Sequence, residues 1–174
     1  MWSRCVPRIY PSFTFAGSGW RRVVASPWPL EIVKAPTVKR LIAGDVNVIA
    51  AGGGGIPVVR DGKRLRGVDT VIDKDLAPAV PARALNADHF IMLTDVLGVS
   101  LFFNTSQQWL LSRMSASEAI GYLRQNHFPE GSMGPKVEAA VDFASSMRRP
   151  AIITSPELLE RASRGKDGTA VYSN

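Results

Sequence analysis

Short, wholly apolar runs alternate along most of the chain with longer stretches whose apolar residues recur at helical spacing. Such runs are typical of strands that are buried on both faces of a parallel sheet. The predicted buried strands are residues 47–51, 90–93 and 151–154, and the predicted helices are residues 37–42, 115–125, 135–147 and 157–163. Strands that alternate with helices predict an α/β fold, with a mainly parallel sheet covered on both faces by crossover helices.

Turn residues add a hairpin and a further helix to this pattern. Residues 56–59 and 67–71 flank an Arg-Asp-Gly-Lys sequence, and its Asp-Gly pair predicts a β-hairpin. A helix is expected after Asp73, in which Pro78 fits the first turn but Pro81 is expected to remove a hydrogen bond at a cost of about 3 kcal/mol. Residues 1–18 show neither period, so we expect a loosely ordered leader before one domain over residues 19–174.

Four glycines, Gly52, Gly53, Gly54 and Gly55, directly follow the first predicted strand. Without side chains, their backbone amides can approach a ligand closely, and such amides suit phosphate oxygens. The spacing is not that of a P-loop, because no Lys-Ser/Thr pair follows, nor of a dinucleotide fingerprint, because Pro57 replaces a required glycine. A tight structural turn is the alternative interpretation.

Asp73, Lys74 and Asp75 stand at the end of an extended apolar stretch and before a predicted helix. In an α/β sheet this is where ligands bind. Lys74 could contact a phosphate, and Asp75 could hold a lysine or a magnesium ion. The alternative is that either carboxylate caps the helix.

Residues 131–136 (GSMGPK) form a second glycine-rich turn that is predicted to open a helix, with Pro135 at its first position and Lys136 in its first turn. Because a lysine opposes the positive end of the helix dipole, an anion is expected nearby. Phosphoryl transfer depends on positioning and on cations aimed at the transferring oxygens. Two lysines and an organising aspartate beside glycine loops fit that chemistry.

Composition excludes several other classes of site. One cysteine permits no internal disulfide, and two distant histidines, His89 and His127, make a histidine metal site unexpected. We expect a cytoplasmic protein without a membrane span, since no apolar run approaches the roughly 20 residues that a span needs. The net charge of +6 suits an anionic partner, but the basic residues form no single stripe, so nucleic acid is not an expected partner.

Several motifs together resemble carbamate kinases of the amino acid kinase family, over residues 19–171: GWRRVVASPWP, IAAGGGGIPVV, GVDTVIDKDLA, IMLTDVLGVS and HFPEGSMGPKVEAAVDF. The resemblance implies a three-layer α/β/α sandwich whose C-terminal lobe binds ATP or ADP and whose N-terminal lobe binds the acceptor. It also implies the reaction of ATP with carbamate to give ADP and carbamoyl phosphate, which in reverse makes ATP after arginine breakdown, and a homodimer when the protein is complete.

The same resemblance assigns roles by motif position. Lys136 would stabilise the transferring phosphoryl group, Asp75 would orient the catalytic lysines and Lys74 would contact a phosphate. The other residues assigned to the nucleotide are Asp73, Thr94, Asp95, Val96, Ser132, Met133 and Gly134, and Gly52 to Gly55 would form a phosphate or acceptor loop. The implied cofactor is ATP or ADP with Mg²⁺, and no side-chain metal site is expected.

The sequence departs from the family pattern in two respects that bear on function. The N-terminal half, with its Gly-Gly-Asn loop and another active-site lysine, is not matched, so carbamate or carbamoyl phosphate is expected to bind only together with that lobe. Leu97 and Ser100 replace an aspartate and a tyrosine in the nucleoside region. Two hypotheses follow: an enzyme lobe that is incomplete alone, or a non-catalytic remnant that binds a nucleotide or an intact kinase subunit.

Overall fold

The computed structural model describes residues 14–15, 19–20, 24–128 and 132–174. Most of the leader expected over residues 1–18 lies outside them. The helices are α1 (Ala35–Ile42), α2 (Ala79–Ala84), α3 (Ala116–Arg124), α4 (Met133–Met147) and α5 (Leu159–Ser163). The strands are β1 (Thr14–Phe15), β2 (Gly19–Trp20), β3 (Val58–Asp61), β4 (Arg64–Gly67), β5 (Phe90–Leu93), β6 (Ser100–Leu101), β7 (Trp109–Leu110), β8 (Arg113–Ser115), β9 (Ala151–Thr154) and β10 (Thr169–Tyr172).

A four-stranded sheet in the order β5-β9-β10-β8 forms the centre of the fold. β5 is parallel to β9 and β10 is parallel to β8, whereas β9 and β10 are antiparallel. All four residues of β9 are buried, and because successive side chains of a strand point to opposite faces, both faces of the sheet are covered there. The predicted α/β fold with a mainly parallel sheet is confirmed.

Helix α4 supplies much of the core beneath this sheet. Val137, Ala140 and Ala144 recur at spacings of three and four and are fully buried, as helical periodicity requires of one packed face. Phe143 of the same helix packs against Phe90 of β5, with ring centroids 5.1 Å apart. This packing positions the N-terminal turn of α4 relative to the end of β5.

The first predicted buried strand is wrong. Residues 47–51 belong to none of the sheets formed by the described residues, and the side chain of Ile49 is fully exposed. A strand needs a hydrogen-bonded neighbour and a surface that covers its apolar side chains, and the described part of the chain supplies neither. The strands predicted at residues 90–93 and 151–154 are confirmed as β5 and β9.

The predicted hairpin is confirmed, but its second strand is shifted. Asp61 of β3 pairs with Arg64 of β4, so the loop consists of Gly62 and Lys63, and the strand lies at residues 64–67 and not at 67–71. Gly62 has φ +59°, which suits the first position of a two-residue hairpin loop. The remaining predicted helices correspond to α1, α3, α4 and α5, and a 3₁₀ turn at Pro156–Leu158 leads into α5.

Both predictions about prolines in helices need correction. Helix α2 begins only at Ala79, after turns at residues 74–78, so Pro81 is its third residue. The first four N–H groups of a helix have no partner within it, so Pro81 removes no helical hydrogen bond and the predicted cost does not arise. Helix α4 begins at Met133, two residues earlier than predicted, so Pro135 is its third residue and not its first. At that position Pro135 likewise removes no helical hydrogen bond.

Candidate functional site

The carboxylate of Asp75 lies between two lysines. Lys136 Nζ donates to Asp75 Oδ1 at 2.8 Å, and Lys74 Nζ donates to Asp75 Oδ2 at 3.1 Å. The side chains of Lys136 and Asp75 are 12% and 14% exposed, whereas that of Lys74 is 65% exposed. One lysine is thus fixed in a partly buried ion pair, and the other reaches into solvent from the same carboxylate.

Asp73 shapes the turn that presents Asp75. The backbone N–H of Asp75 donates to Asp73 Oδ1 at 2.7 Å, and the Asp73 carbonyl accepts from Ala77 N–H at 2.9 Å. Such a side-chain bond to the backbone two residues on is typical of an Asx-turn. Neither carboxylate caps α2, whose N-cap residue is Pro78, so the capping alternative is wrong.

Lys136 is the fourth residue of α4, close to the positive end of the helix dipole. The anion that this position requires is the carboxylate of Asp75. The hydrogen bond and the negative charge of Asp75 also raise the pKa of Lys74 above its ordinary value. Lys74 is therefore fully cationic at neutral pH.

A pocket of about 330 Å³ opens beside this cluster. Seven of the residues proposed from the sequence line it: Lys74, Thr94, Asp95, Val96, Ser132, Met133 and Lys136. Among the proposed catalytic and nucleotide-binding residues, three do not line it: Asp73 holds the turn, Asp75 holds the two lysines, and Gly134 is buried within α4. Residues from three separate stretches of sequence thus meet at one cavity.

The position of Thr94, Asp95 and Val96 follows from the sheet. They come directly after β5, and Thr94 N–H donates to the carbonyl of Thr154, the last residue of the parallel neighbour β9, at 2.9 Å. Ligands of open α/β sheets bind at the carboxyl ends of parallel strands. The pocket therefore stands where this fold class places ligands.

Five lining residues were not proposed from the sequence as binding residues: Gly98, Ser100, Phe103, His127 and Phe128. His127, which was considered above only for a metal site, is partly buried and lines the pocket. Ser100 is buried and lines the pocket, whereas Leu97, the other departure from the family pattern, is 57% exposed. That Phe103 and His127 line the same pocket could not be read from the sequence, because 23 residues lie between them along the chain.

The glycine loop is set apart from the pocket, since none of its four residues lines it. Gly54 has φ +98° and is buried against the chain that leads to Asp73: a Cβ there would lie 2.0 Å from the Ile72 carbonyl oxygen. Gly54 therefore has a structural reason to be glycine. Gly52, Gly53 and Gly55 are exposed, and Gly53 and Gly55 have positive φ values of 67° and 84°.

A second cavity, of about 340 Å³, lies on the face of α3 and α4. Its lining is mainly apolar, with Trp28, Ile120, Leu123 and Val141 among the residues, and Asp142 in its wall is paired with Arg83. It contains none of the lysines or strand ends described above. The first pocket is therefore the candidate site.

The sequence model of the amino acid kinase family matches residues 12–155. The chain belongs to the amino acid kinase family.

Carbamate kinases and carbamate kinase-like proteins are among its similar relatives. The carbamate kinase of Pyrococcus horikoshii is 45% identical over 156 residues, and the carbamate kinase-like protein YahI of Escherichia coli is 47% identical over 157. Each alignment covers 90% of this chain and 50% of the relative. The chain spans about half the length of the curated relatives it matches.

A solved structure of the family agrees with this relationship. Carbamate kinase from Giardia lamblia bound to AMP-PNP has a TM-score of 0.86 and 43% identity, with 94% of this chain and 52% of that chain covered. The α/β fold described above is therefore that of the carbamate kinases in this amino acid kinase family.

Within this family member, the described residues contain no group of three or more histidine, cysteine, aspartate or glutamate side chains that could hold a metal ion. Both carboxylate oxygens of Asp75 accept hydrogen bonds from lysines, as expected if Asp75 holds a lysine. Among the described helices, none has the length and apolar character needed to cross a bilayer.

Proposed function

We propose that this chain is the nucleotide-binding half of a carbamate kinase-like phosphotransferase. The whole enzyme would convert ATP and carbamate to ADP and carbamoyl phosphate, reversibly and in connection with arginine breakdown. The observation that supports this most directly is the Lys136–Asp75–Lys74 cluster beside a pocket at the carboxyl end of β5. Phosphoryl transfer needs fixed cations and little covalent chemistry from the protein, and this cluster supplies such cations.

The two lysines would take different parts in that reaction. Lys136 is held by a partly buried ion pair, so it suits the position of a fixed cation against the transferring phosphoryl group. Lys74 is exposed and lines the same pocket, so it suits a contact to the phosphate chain. Asp75 orients both, and Thr94, Asp95, Val96, Ser132, Met133 and Gly134 would surround the rest of the nucleotide.

Mg²⁺ would arrive with the nucleotide. Because the described residues offer no cluster of metal-ligating side chains, the phosphate oxygens of ATP or ADP and water would supply most of its coordination. When bound, the ion would neutralise charge on those oxygens. We propose no side-chain metal site.

The acceptor site would belong to the part of the relatives that this chain does not match. We therefore propose that the chain binds nucleotide but holds carbamate or carbamoyl phosphate only together with that lobe. The exposed glycines Gly52, Gly53 and Gly55 would face the acceptor side as a phosphate or acceptor loop. A cytoplasmic location and a homodimer of the complete protein belong to the same proposal.

A non-catalytic nucleotide-binding remnant is the second candidate, favoured by Leu97 and Ser100. Ser100 lines the pocket where the family pattern has a tyrosine, so one aromatic surface that could contact a nucleoside is replaced by a small hydroxyl. Such a remnant would bind a nucleotide or an intact kinase subunit without turnover. Activity separates the two candidates.

Calorimetric titration with ADP tests the binding site. The parent chain is expected to bind ADP weakly, and Lys136→Ala is expected to reduce the affinity by about tenfold or more, because a charge-assisted bond contributes roughly twice as much as a neutral one. Lys166→Ala, which removes an exposed lysine outside the pocket lining, is the matched control and should bind as the parent does. Equal affinities in the parent and in Lys136→Ala would remove Lys136 from the site.

Turnover tests catalysis. The chain alone is expected to make no ATP from ADP and carbamoyl phosphate above background, because orientation of the reacting groups accounts for roughly 7 to 11 kcal/mol of barrier lowering. The unmatched half of a carbamate kinase, added as a separate polypeptide, should restore some turnover, and Asp75→Asn should abolish it by releasing the lysines. Binding of that half without turnover would favour the remnant, and turnover by the 174-residue chain alone would overturn the claim that it is incomplete.

A further inference from the structure

One wall of the pocket is aromatic, and the phosphate chemistry above gives it no role. Phe103, His127 and Phe128 line this wall. Phe103 is 51% exposed, so a large part of its ring is open to a ligand. His127 is partly buried and lines the pocket beside it.

The end of α3 places His127 in this wall. Asn126 has φ +56°, its N–H donates to the Leu123 carbonyl at 3.1 Å, and the N–H of His127 donates to the Tyr122 carbonyl at 3.1 Å. These two bonds and the left-handed residue define a Schellman motif, which commonly includes a contact between the side chains that correspond to His127 and Tyr122. The two rings do meet edge to face, with centroids 5.7 Å apart. The Schellman motif at the end of α3 therefore sets the direction of the imidazole.

The turn between β6 and β7 supports the same wall from the other side. Phe102 has φ +50°, a left-handed conformation that is uncommon for a bulky residue. Its ring packs edge to face on His127, with centroids 5.0 Å apart. Its carbonyl accepts from Thr105 Oγ1 at 2.7 Å, so the turn is held in place locally. Strained backbone of this kind is often retained where a neighbouring side chain must be aimed at a ligand.

We propose that Phe103 and His127 form the platform for the planar base of the bound nucleotide, and that Phe102 is a positioning residue for both. Aromatic side chains stack on nucleobases without needing a particular hydrogen-bond pattern. Phe102 holds His127 through its ring and directs Phe103 through its left-handed backbone. This inference rests on the proposed nucleotide-binding function and extends it to the base.

The test compares ADP with inorganic tripolyphosphate, which offers phosphates without a base, by calorimetry on the full 174-residue chain. Phe103→Ala and His127→Ala are each expected to weaken ADP binding by about tenfold, within the range for one aromatic–base stack. Tripolyphosphate binding should be unchanged in both. Trp109→Ala is the matched control, because Trp109 is an exposed ring on the same hairpin that does not line the pocket.

The positioning role of Phe102 needs a variant that keeps the backbone conformation. Asparagine tolerates positive φ, so Phe102→Asn removes the ring while it preserves the turn, and it should weaken ADP but not tripolyphosphate binding. Phe102→Tyr should keep the parent affinity for ADP because it keeps an aromatic ring against His127. A loss of ADP affinity in Phe102→Tyr as large as that in Phe102→Asn would remove Phe102 from the proposal.

The outcomes separate this inference from the proposed function. A parent that binds tripolyphosphate as tightly as ADP would overturn the base platform and leave the phosphate site standing. Equal losses for both ligands in Phe103→Ala and His127→Ala, or a loss in Trp109→Ala as large as theirs, would show general damage and contradict the platform. A parent that binds neither ligand would overturn the proposed nucleotide binding and, with it, this inference.

Discussion

Residues 24–71 and residues 72–174 bury their apolar side chains to very different extents. Of the 24 buried hydrophobic residues in the described part of the chain, 23 belong to the second region, and Val38 alone belongs to the first. Of the 21 large hydrophobic side chains that are exposed, 12 lie in the first region. Ile49 and Ile56 are 100% and 88% exposed.

The difference shows which part of the chain has its own core. The second region contains the four-stranded sheet and α2 to α5, whereas the first contains α1, the glycine loop and the β3–β4 hairpin, whose residues are mostly exposed. Full burial of one large aliphatic side chain contributes about 1.5–3 kcal/mol. The first region therefore exposes apolar surface whose burial would add considerably to the stability of the folded state. We expect the unmatched half of the amino acid kinase fold to cover that surface.

The largest expected effect is in the core of the second region. Phe143→Ala removes a fully buried ring that packs on Phe90, and it is expected to lower the free energy of unfolding by about 3–5 kcal/mol. The paired variant Ile49→Ala in the first region should change it by less than about 0.5 kcal/mol. Urea unfolding followed by circular dichroism measures both. Similar losses of unfolding free energy in the two variants would contradict the claim that only the second region has its own core.

A smaller effect is expected at the helix caps. Helix α3 begins with a capping box of Ser115 and Glu118, whereas α1 has no side-chain cap. Ser115→Ala is expected to cost about 1 kcal/mol at neutral pH, measured by urea unfolding. Thr37→Ala in α1, an exposed helical residue outside any cap, is the control and should cost less than about 0.5 kcal/mol.

The same cap predicts a pH dependence. Hydrogen bonds from the backbone and hydroxyl of Ser115 lower the pKa of Glu118 below 4.5. A carboxyl group whose pKa is lowered on folding stabilises the folded state above its unfolded pKa, and this stabilisation is lost as the pH falls through the folded pKa. The difference in the free energy of unfolding between the parent and Ser115→Ala should therefore become smaller below pH 4.5. A constant difference across that range would contradict the assignment.

The smallest effect on stability is expected on the exposed surface of the first region, where dye binding is the sharper measurement. Ile49→Lys should leave the free energy of unfolding within about 0.5 kcal/mol of the parent but reduce binding of an apolar fluorescent dye. Leu159→Lys, a single exposed apolar residue of the second region, should leave dye binding unchanged. A parent chain that binds no dye would contradict the expected uncovered surface.

Much of the fold was predictable because its signals are local. The apolar runs at residues 90–93 and 151–154 predicted β5 and β9, and the pattern at residues 115–125 predicted α3 to within one residue at each end. Residues 47–51 carried an equally strong strand pattern, yet they pair with nothing that the structure describes. Strands β8 and β10 were not predicted, because three or four residues without a clear period carry too little pattern to be recognised.

The sequence by itself determined the fold class, the family resemblance and the residue types of the candidate site, since helical and strand periods and motif order are properties of neighbouring residues. The tertiary structure alone decided which of those residues meet. It placed Asp75 between Lys136 and Lys74, made Asp73 part of a turn, kept the glycine loop out of the pocket lining and brought Phe102 into contact with His127. Contacts across such sequence separations depend on how the sheet and helices pack, and a local pattern does not contain that information.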